Sequence, residues 1–178
     1  MLTKNNTGLM IVDVQGRLST MMYEAESVFR QLRLLIQGAR VFGLPVIWME
    51  QLPDKLGATR PEISELLEGD PFIKHTFSGM QNAGIAKAVK DLKLQNWLVA
   101  GLETHVCVYQ TVGDLLRDKH DVHLVTDAVS SRTQANKELG IHKMEAMGAQ
   151  LTSVEMVLFE LQKVAEGTEF RQLIQIIK

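Results

Sequence analysis

The sequence has few of the features that support disulfide-linked, membrane-spanning or nucleic-acid-binding proteins. Its 178 residues include one cysteine, so no intrachain disulfide can form, which is typical of a reducing compartment. No apolar run approaches the roughly 20 residues that span a bilayer, and the N-terminus has no signal-peptide core. A net charge of −2 gives no general attraction to nucleic acid or membrane. We therefore expect a cytoplasmic protein with neither of these partners.

Hydrophobic residues make up 46% of the chain, enough for the core of one domain over residues 1–178. Short, continuous apolar runs alternate with segments that have helical periodicity. The runs lie at residues 8–13, 45–49, 96–101, 122–125 and 149–151. Continuous rather than alternating apolar strands are typical of parallel sheets covered on both faces. The pattern predicts a doubly wound, three-layer α/β/α fold with a mainly parallel sheet of five or six strands.

Polar residues follow several of these predicted strands at their carboxyl ends. Asp13 ends the first run, Gln51 follows the second, and Cys107 follows the third. Ligands of open parallel sheets bind outside the carboxyl ends of the strands. Residues 50–80 form a long segment rich in glycine, proline and charge, as functional loops often are. The sequence therefore predicts a site at this edge of the sheet.

Cys107, the only cysteine, comes after a predicted strand and Gly101 and before a predicted helix. The unpaired N–H groups and dipole of a helix start favour a thiolate and can hold an oxyanion. A free cysteine is also often an inert, buried hydrophobe. From position alone, both interpretations remain open.

A cysteine hydrolase needs a base for the thiol proton, a positive charge near the thiolate, and donors for the oxyanion. Asp13 is the candidate base, although its position taken alone favours a turn or helix-cap role. Lys74 is the candidate charge, although a loop lysine usually faces solvent. Together with the helix start, Lys74 predicts a lowered pKa for the Cys107 thiol.

Four segments, in this order along the chain, resemble the isochorismatase-like cysteine hydrolase superfamily. They are Asp13-Val14-Gln15, Lys74-x-x-Phe77-Ser78, Gly101-x-x-Thr104-x-x-Cys107-Val108-x-x-Thr111 and Asp127-Ala128-Val129-Ser130-Ser131-Arg132. The resemblance covers nearly the whole chain and is strongest to isochorismatase-domain proteins of unassigned substrate. It implies a catalytic triad of Asp13, Lys74 and Cys107. It also implies a cis peptide between Leu102 and Glu103, with the N–H groups of Glu103 and Cys107 forming an oxyanion hole.

Two departures from the superfamily restrict the chemistry. Nicotinamidases resemble one another in an Asp-x-His segment that binds a metal after the second strand, whereas this chain has Met49-Glu50-Gln51-Leu52-Pro53 there. A carboxylate and an amide make a poor transition-metal site, so we expect no metal and no other cofactor. Some isochorismatases lack the cysteine that this chain keeps, which favours amide or related acyl chemistry.

We therefore predict a metal-independent amidohydrolase that cleaves a C–N bond of a small substrate through a thioester on Cys107. The candidate pocket residues are Gln15, Leu18, Trp48, Gln51, Phe77 and His105. For Gln15, a substrate contact and a loop-ordering role are both open. Amphipathic helices and the resemblance also predict a homo-oligomer, a dimer or larger. The alternative function is a non-catalytic binding or assembly module in which Cys107 is a redox-sensitive thiol.

Overall fold

The computed structural model describes residues 1–178, and its centre is a six-stranded sheet in which all neighbouring strands are parallel. The strands are β1 (Thr7–Val12), β2 (Val46–Gln51), β3 (Phe72–Lys74), β4 (Asn96–Leu102), β5 (Asp121–Ser130) and β6 (Gln150–Thr152). Their order across the sheet is β3-β2-β1-β4-β5-β6. The predicted doubly wound α/β/α fold is confirmed, and β3 is the strand that periodicity did not predict.

Helices cover both faces of this sheet. They are α1 (Ala25–Val41), α2 (Pro53–Leu56), α3 (Pro61–Ser64), α4 (Ala83–Leu92), α5 (Tyr109–Arg117), α6 (Gln134–Ala146), α7 (Val154–Gln162) and α8 (Gly167–Ile177). One hydrophobic core joins α1, α7 and α8 to the sheet, and a second core joins α4, α5 and α6 to the opposite face. The short helices α2 and α3 belong to the 50–80 segment.

The central strands β1 and β4 are buried along their whole length. In β1, Leu9 and Ile11 enter the core under α1, whereas Met10 and Val12 enter the core under α4 and α5. Side chains alternate between faces along a strand, so a strand that is covered on both faces must be apolar at every position. This arrangement explains the continuous apolar runs.

The strand order reverses between β1 and β4. Gly101 allows a close approach there: its φ is +130°, and a Cβ at this position would lie 2.1 Å from the Val12 carbonyl oxygen. The pairing of β4 with β5 also shifts register between Val99 and Gly101. Such a reversal opens a crevice at the carboxyl edge, and it places the ends of β1 and β4 side by side.

No helix in the structure is both long enough and apolar enough to cross a membrane.

Candidate active site

Three elements bring the predicted triad together at the crevice between β1 and β4. Asp13 directly follows β1 in a left-handed conformation, with φ of 50°. Lys74 is the last residue of β3, and its side chain is completely buried. Cys107 is buried in a single helical turn, Thr104–Val108, between β4 and α5. Residues from distant parts of the chain therefore meet because parallel strands end at a common edge.

Lys74 is the most completely satisfied polar side chain of the site. Its Nζ lies 2.7 Å from Asp13 Oδ2 and 2.6 Å from Gln51 Oε1. It also donates to the carbonyl oxygens of Thr76 and Phe77, both at 3.2 Å. A buried ammonium is tolerated only when it is paired and hydrogen-bonded. The surface interpretation of Lys74 is therefore wrong.

The Asp13 carboxylate is only half satisfied. Lys74 donates to Oδ2, whereas Oδ1 is buried and has no hydrogen-bond partner. Burial raises the pKa of Asp13 above its ordinary value, and the Lys74 charge opposes this shift only in part. A carboxylate with a raised pKa and an unoccupied oxygen is well suited to accept a proton.

The Cys107 thiol is not a ready-made thiolate. Burial, together with the charge of the neighbouring Asp13, raises the pKa of Cys107 to about 12, and Lys74 lowers it only in part. The prediction of a lowered thiol pKa was therefore wrong. It left out the burial of the thiol, which is the largest cause of the raised pKa, and the charge of Asp13, which outweighs that of Lys74.

Asp13 and Cys107 line one cavity of about 290 Å³. Its other lining residues are Gln15, Leu18, Gln51, Leu56, Phe77, Leu102, Glu103, Val106 and Arg132. Four of the six candidate pocket residues are among them. Five of the nine are aliphatic or aromatic, so the cavity walls are mostly apolar. The polar Asp13 and Cys107 side chains lie next to these walls.

Gln15 uses its amide within the protein. Its Nε2 donates to the carbonyl oxygens of Gln51 at 2.9 Å and Gly57 at 2.7 Å, and its Oε1 accepts from Gln51 N at 2.6 Å. These bonds join the loop after β1 to the end of β2 and to the loop after α2. Of the two roles considered for Gln15, the structure supports loop ordering.

Trp48 does not line the cavity, although it was a candidate pocket residue. Alternation along β2 turns it away from the site, into the core under α1. Its indole N–H donates to the Glu68 carbonyl oxygen at 3.1 Å.

His105 also lies outside the cavity lining. Two residues from Cys107 in a helical turn, it points in a different direction. Its Nδ1 lies 2.9 Å from Ser131 Oγ and 3.2 Å from Glu103 Oε2. His105 therefore contacts Glu103, which lines the cavity, without lining the cavity itself.

The turn after β4 differs from the expectation in its backbone. The structure has no cis peptide bond, so the Leu102–Glu103 bond is trans. The turn is made instead by Glu103, whose φ is 56°. Its carboxylate accepts from Arg132 Nε at 2.8 Å. Arg132 was not among the candidate pocket residues, yet it lines the cavity, and it follows a strand end like the other site residues.

No group of three or more His, Cys, Asp or Glu side chains is arranged to hold a metal ion. At the end of β2, Glu50 Oε1 accepts from Thr59 N at 2.6 Å, and Gln51 Oε1 accepts from Lys74. Glu50 and Gln51 lie where nicotinamidases have their metal-binding segment, and both side chains are hydrogen-bonded to other groups of this protein. Metal independence stays a prediction.

Comparison with known proteins agrees with this geometry. The isochorismatase domain model matches residues 7–156. The chain belongs to the isochorismatase family. Among its relatives is the secreted isochorismatase effector Isc1 of Phytophthora sojae, 33% identical over 99% of this chain and 87% of the effector. The family supports a hydrolase function for the chain. Because this relative is secreted, the cytoplasmic location stays a prediction.

Two solved structures show how far the similarity extends. MAR1 ribonuclease from Caenorhabditis elegans is 33% identical, with a TM-score of 0.92 over 99% of this chain and 91% of that one. YcaC from Escherichia coli, described as an octameric hydrolase of unknown specificity, is 25% identical, with a TM-score of 0.93 over 99% and 88% of the two chains.

Proposed function

We propose that this family member is a cysteine hydrolase that cleaves a small amide or a related carbonyl substrate through a thioester on Cys107. One observation carries the proposal. The buried Lys74–Asp13 pair leaves Asp13 Oδ1 without a partner in the same cavity as the Cys107 thiol. Asp13 can thus accept a proton, the Cys107 thiol can supply it, and the Lys74 cation offsets the negative charge that the two groups share.

In the first half-reaction, the Cys107 thiol gives its proton to Asp13 as Sγ attacks the carbonyl carbon. Because the pKa of the thiol is raised to about 12, proton loss accompanies attack rather than preceding it. The Lys74 ammonium keeps its own proton throughout and stabilises the developing charge on sulfur.

Collapse of the tetrahedral intermediate completes acylation. The proposed donors to its oxyanion are the backbone N–H groups of Glu103 and Cys107, presented by the left-handed turn at Glu103 instead of by a cis peptide. The proton held by Asp13 passes to the leaving nitrogen as the C–N bond breaks, which leaves a thioester. Water then attacks, Asp13 takes its proton, and the C–S bond breaks to give a carboxylic acid and the restored thiol.

The walls of the cavity restrict the substrate. Leu18, Leu56, Phe77, Leu102 and Val106 supply apolar surface around a volume of about 290 Å³. Such a cavity suits a small, largely uncharged molecule. The net charge of −2 and the narrow apolar walls favour this class over RNA, despite the ribonuclease among the similar structures.

The test is hydrolysis of a panel of short aliphatic amides, N-carbamoyl compounds and esters, with single-stranded RNA as a separate arm. We expect wild type to release a carboxylic acid from the amides and esters, and an amine with ammonia and carbon dioxide from the N-carbamoyl compounds. Asp13→Asn, which is nearly isosteric, should lose about 10²–10⁴-fold in turnover, and Cys107→Ala should lose it wholly. The matched control is Asp127→Asn, because Asp127 is an aspartate within β5 that accepts from Val154 N and does not line the cavity.

Near wild-type turnover by a folded Asp13→Asn variant would show that Asp13 is a turn residue only. RNA cleavage that needs Cys107, without hydrolysis of any small substrate, would contradict the proposed substrate class. Binding of panel compounds without turnover would instead support the non-catalytic module. The proposed assembly is a homo-oligomer, and light scattering should give a mass above the 20.0 kDa of one chain.

A further inference from the structure

A hydrogen-bonded bridge connects the loop that carries Lys74 to the turn that carries Cys107. The bridge is the hydroxyl of Thr111, a completely buried residue of α5. Its Oγ1 donates to the Cys107 carbonyl oxygen at 2.7 Å and accepts from the Gly79 N–H at 2.9 Å. Thr111 thus bonds the backbone on both sides of the site.

The bridge depends on the hydroxyl group, which threonine has and valine lacks. A hydroxyl both donates and accepts, so one atom satisfies a buried carbonyl and a buried N–H. Branching at Cβ restricts the hydroxyl to few rotamers. On the other side, a Cβ on Gly79 would lie 2.7 Å from Met49 Sδ, so a larger residue there would have to displace the Met49 side chain.

The loop between Lys74 and Gly79 is held at both ends. Near its start, the Lys74 ammonium binds the carbonyl oxygens of Thr76 and Phe77. Near its end, Ser78 Oγ donates to Asp114 Oδ2 at 2.8 Å, one turn beyond Thr111 on α5. Any displacement of the loop relative to α5 therefore displaces Lys74 relative to Cys107.

We propose that Thr111 is a positioning residue that fixes the Lys74–Asp13 pair against the Cys107 thiol. It touches neither the substrate cavity nor the reacting atoms, since it does not line the cavity. It acts through the Cys107 carbonyl on one side and the Gly79 amide on the other. This inference rests on the proposed hydrolase function.

The experiment compares Thr111→Val, which keeps the shape and removes the hydroxyl, with Thr111→Ser, which keeps the hydroxyl. Thr126→Val is the matched control, because Thr126 Oγ1 donates to the Thr152 carbonyl oxygen at 2.9 Å and Thr126 does not line the cavity. The probe is p-nitrophenyl acetate, with Cys107→Ala as the background rate.

We expect Thr111→Val to lower kcat by about 10²-fold, the order expected for a misplacement of about 1 Å, with little change in KM. Thr111→Ser and Thr126→Val should stay within about threefold of wild type. Iodoacetamide labelling of Cys107 should require a higher pH in Thr111→Val, because the lysine that favours the thiolate is less well placed.

The outcomes separate this inference from the proposed function. If wild type does not release p-nitrophenol above the Cys107→Ala background, the hydrolase proposal fails, and the labelling profile alone then tests the positioning. If wild type is active but Thr111→Val matches Thr126→Val in kcat and in labelling, Thr111 is merely structural. If Thr111→Val does not fold, the serine variant decides, because a loss there of about 10²-fold would show that the hydroxyl is not what matters.

Discussion

Lys74 and Asp13 form a buried ion pair, but the two side chains depend on each other to different extents. Lys74 Nζ keeps three neutral oxygen acceptors if the Asp13 carboxylate is removed, namely those of Gln51, Thr76 and Phe77. If Lys74 is removed, the Asp13 carboxylate keeps no cation beside it, and only the Cys107 thiol remains to bond with it. The two residues are therefore not equivalent for stability, although both belong to the proposed triad.

We predict that Lys74→Met destabilises the protein by about 3–5 kcal/mol at pH 7, since it leaves a buried carboxylate unpaired. Without Lys74, the pKa of Asp13 should rise further, because Lys74 is what lowers it. A carboxyl group whose pKa is higher in the folded protein than its unfolded value of 3.8 stabilises the fold at low pH, where it is protonated. That contribution to the free energy of unfolding is lost as the pH rises through the folded-state pKa. The loss should therefore be smaller at pH 5 than at pH 7 in urea unfolding.

Asp13→Asn is the comparison for that measurement. Asparagine tolerates the left-handed conformation of residue 13, so this variant should lose less stability than Lys74→Met at pH 7. Equal losses for the two variants, unchanged between pH 5 and pH 7, would contradict the asymmetry.

The Cys107 thiol gives a second prediction at the residue scale. Because its pKa is raised to about 12, thiolate absorbance in wild type, measured against Cys107→Ala, should be absent below pH 9.0. Asp13→Asn removes the negative charge that helps to raise this pKa, so its thiolate should form at lower pH. That variant would then have more thiolate and less turnover than wild type. A wild-type thiolate near neutral pH would contradict this account.

The sequence predicted the location of a site residue when that location depends only on which strand the residue follows. Asp13 and Cys107 follow buried strands, so their meeting follows from a parallel sheet. Trp48 was placed wrongly in the cavity, and the place of Arg132 in the cavity wall was not predicted, because the face on which a side chain lies depends on strand register and on its partners. The bond from Arg132 to Glu103, 29 positions apart, has no local pattern in the sequence.

At the scale of elements, the turn after β4 depends on the close packing of β4 against β1. Gly101 makes this possible, since a side chain there would overlap the backbone of Val12. The chain then enters the left-handed turn at Glu103 and reaches Cys107. The position of the nucleophile is thus set by a glycine six residues before it.

We predict that Gly101→Ala prevents folding or lowers the melting temperature severely, because its Cβ would lie 2.1 Å from the Val12 oxygen. Gly148→Ala is the matched control: it also has a positive φ, of 108°, but its Cβ would meet no atom within 4 Å. It should show only the modest cost of backbone strain. Thermal melts of the two variants give the comparison, and similar melting temperatures would contradict the steric explanation.

The elements themselves were largely predictable, because buried parallel strands and amphipathic helices have distinct periodicities. The exception is β3, which has three residues and lies in the 50–80 segment. It pairs only with β2, so its existence depends on a tertiary contact rather than on its own pattern. This short strand carries Lys74, and its absence from the prediction explains why Lys74 resembled a surface residue.

For the whole molecule, the sheet order explains why one edge carries the chemistry. The order reverses between β1 and β4, the proposed base follows one of these strands, and the nucleophile follows the other. The fold class followed from the sequence, but the walls of the cavity did not. These walls include Leu56 and Phe77 from the 50–80 segment. The path of that segment depends on tertiary contacts such as the hydrogen bond from Gln15 to the Gly57 carbonyl oxygen.

The covalent intermediate is the central claim of this account, and its direct measurement is intact-protein mass spectrometry after acid quench during turnover of the amide and ester panel. We predict an added mass equal to the acyl group, mapped to the peptide that contains Cys107 and released by neutral hydroxylamine, as a thioester would be. Cys107→Ala should show neither the adduct nor turnover. Substrate hydrolysis by Cys107→Ala at the wild-type rate, with no adduct on the wild-type protein, would contradict the proposed mechanism.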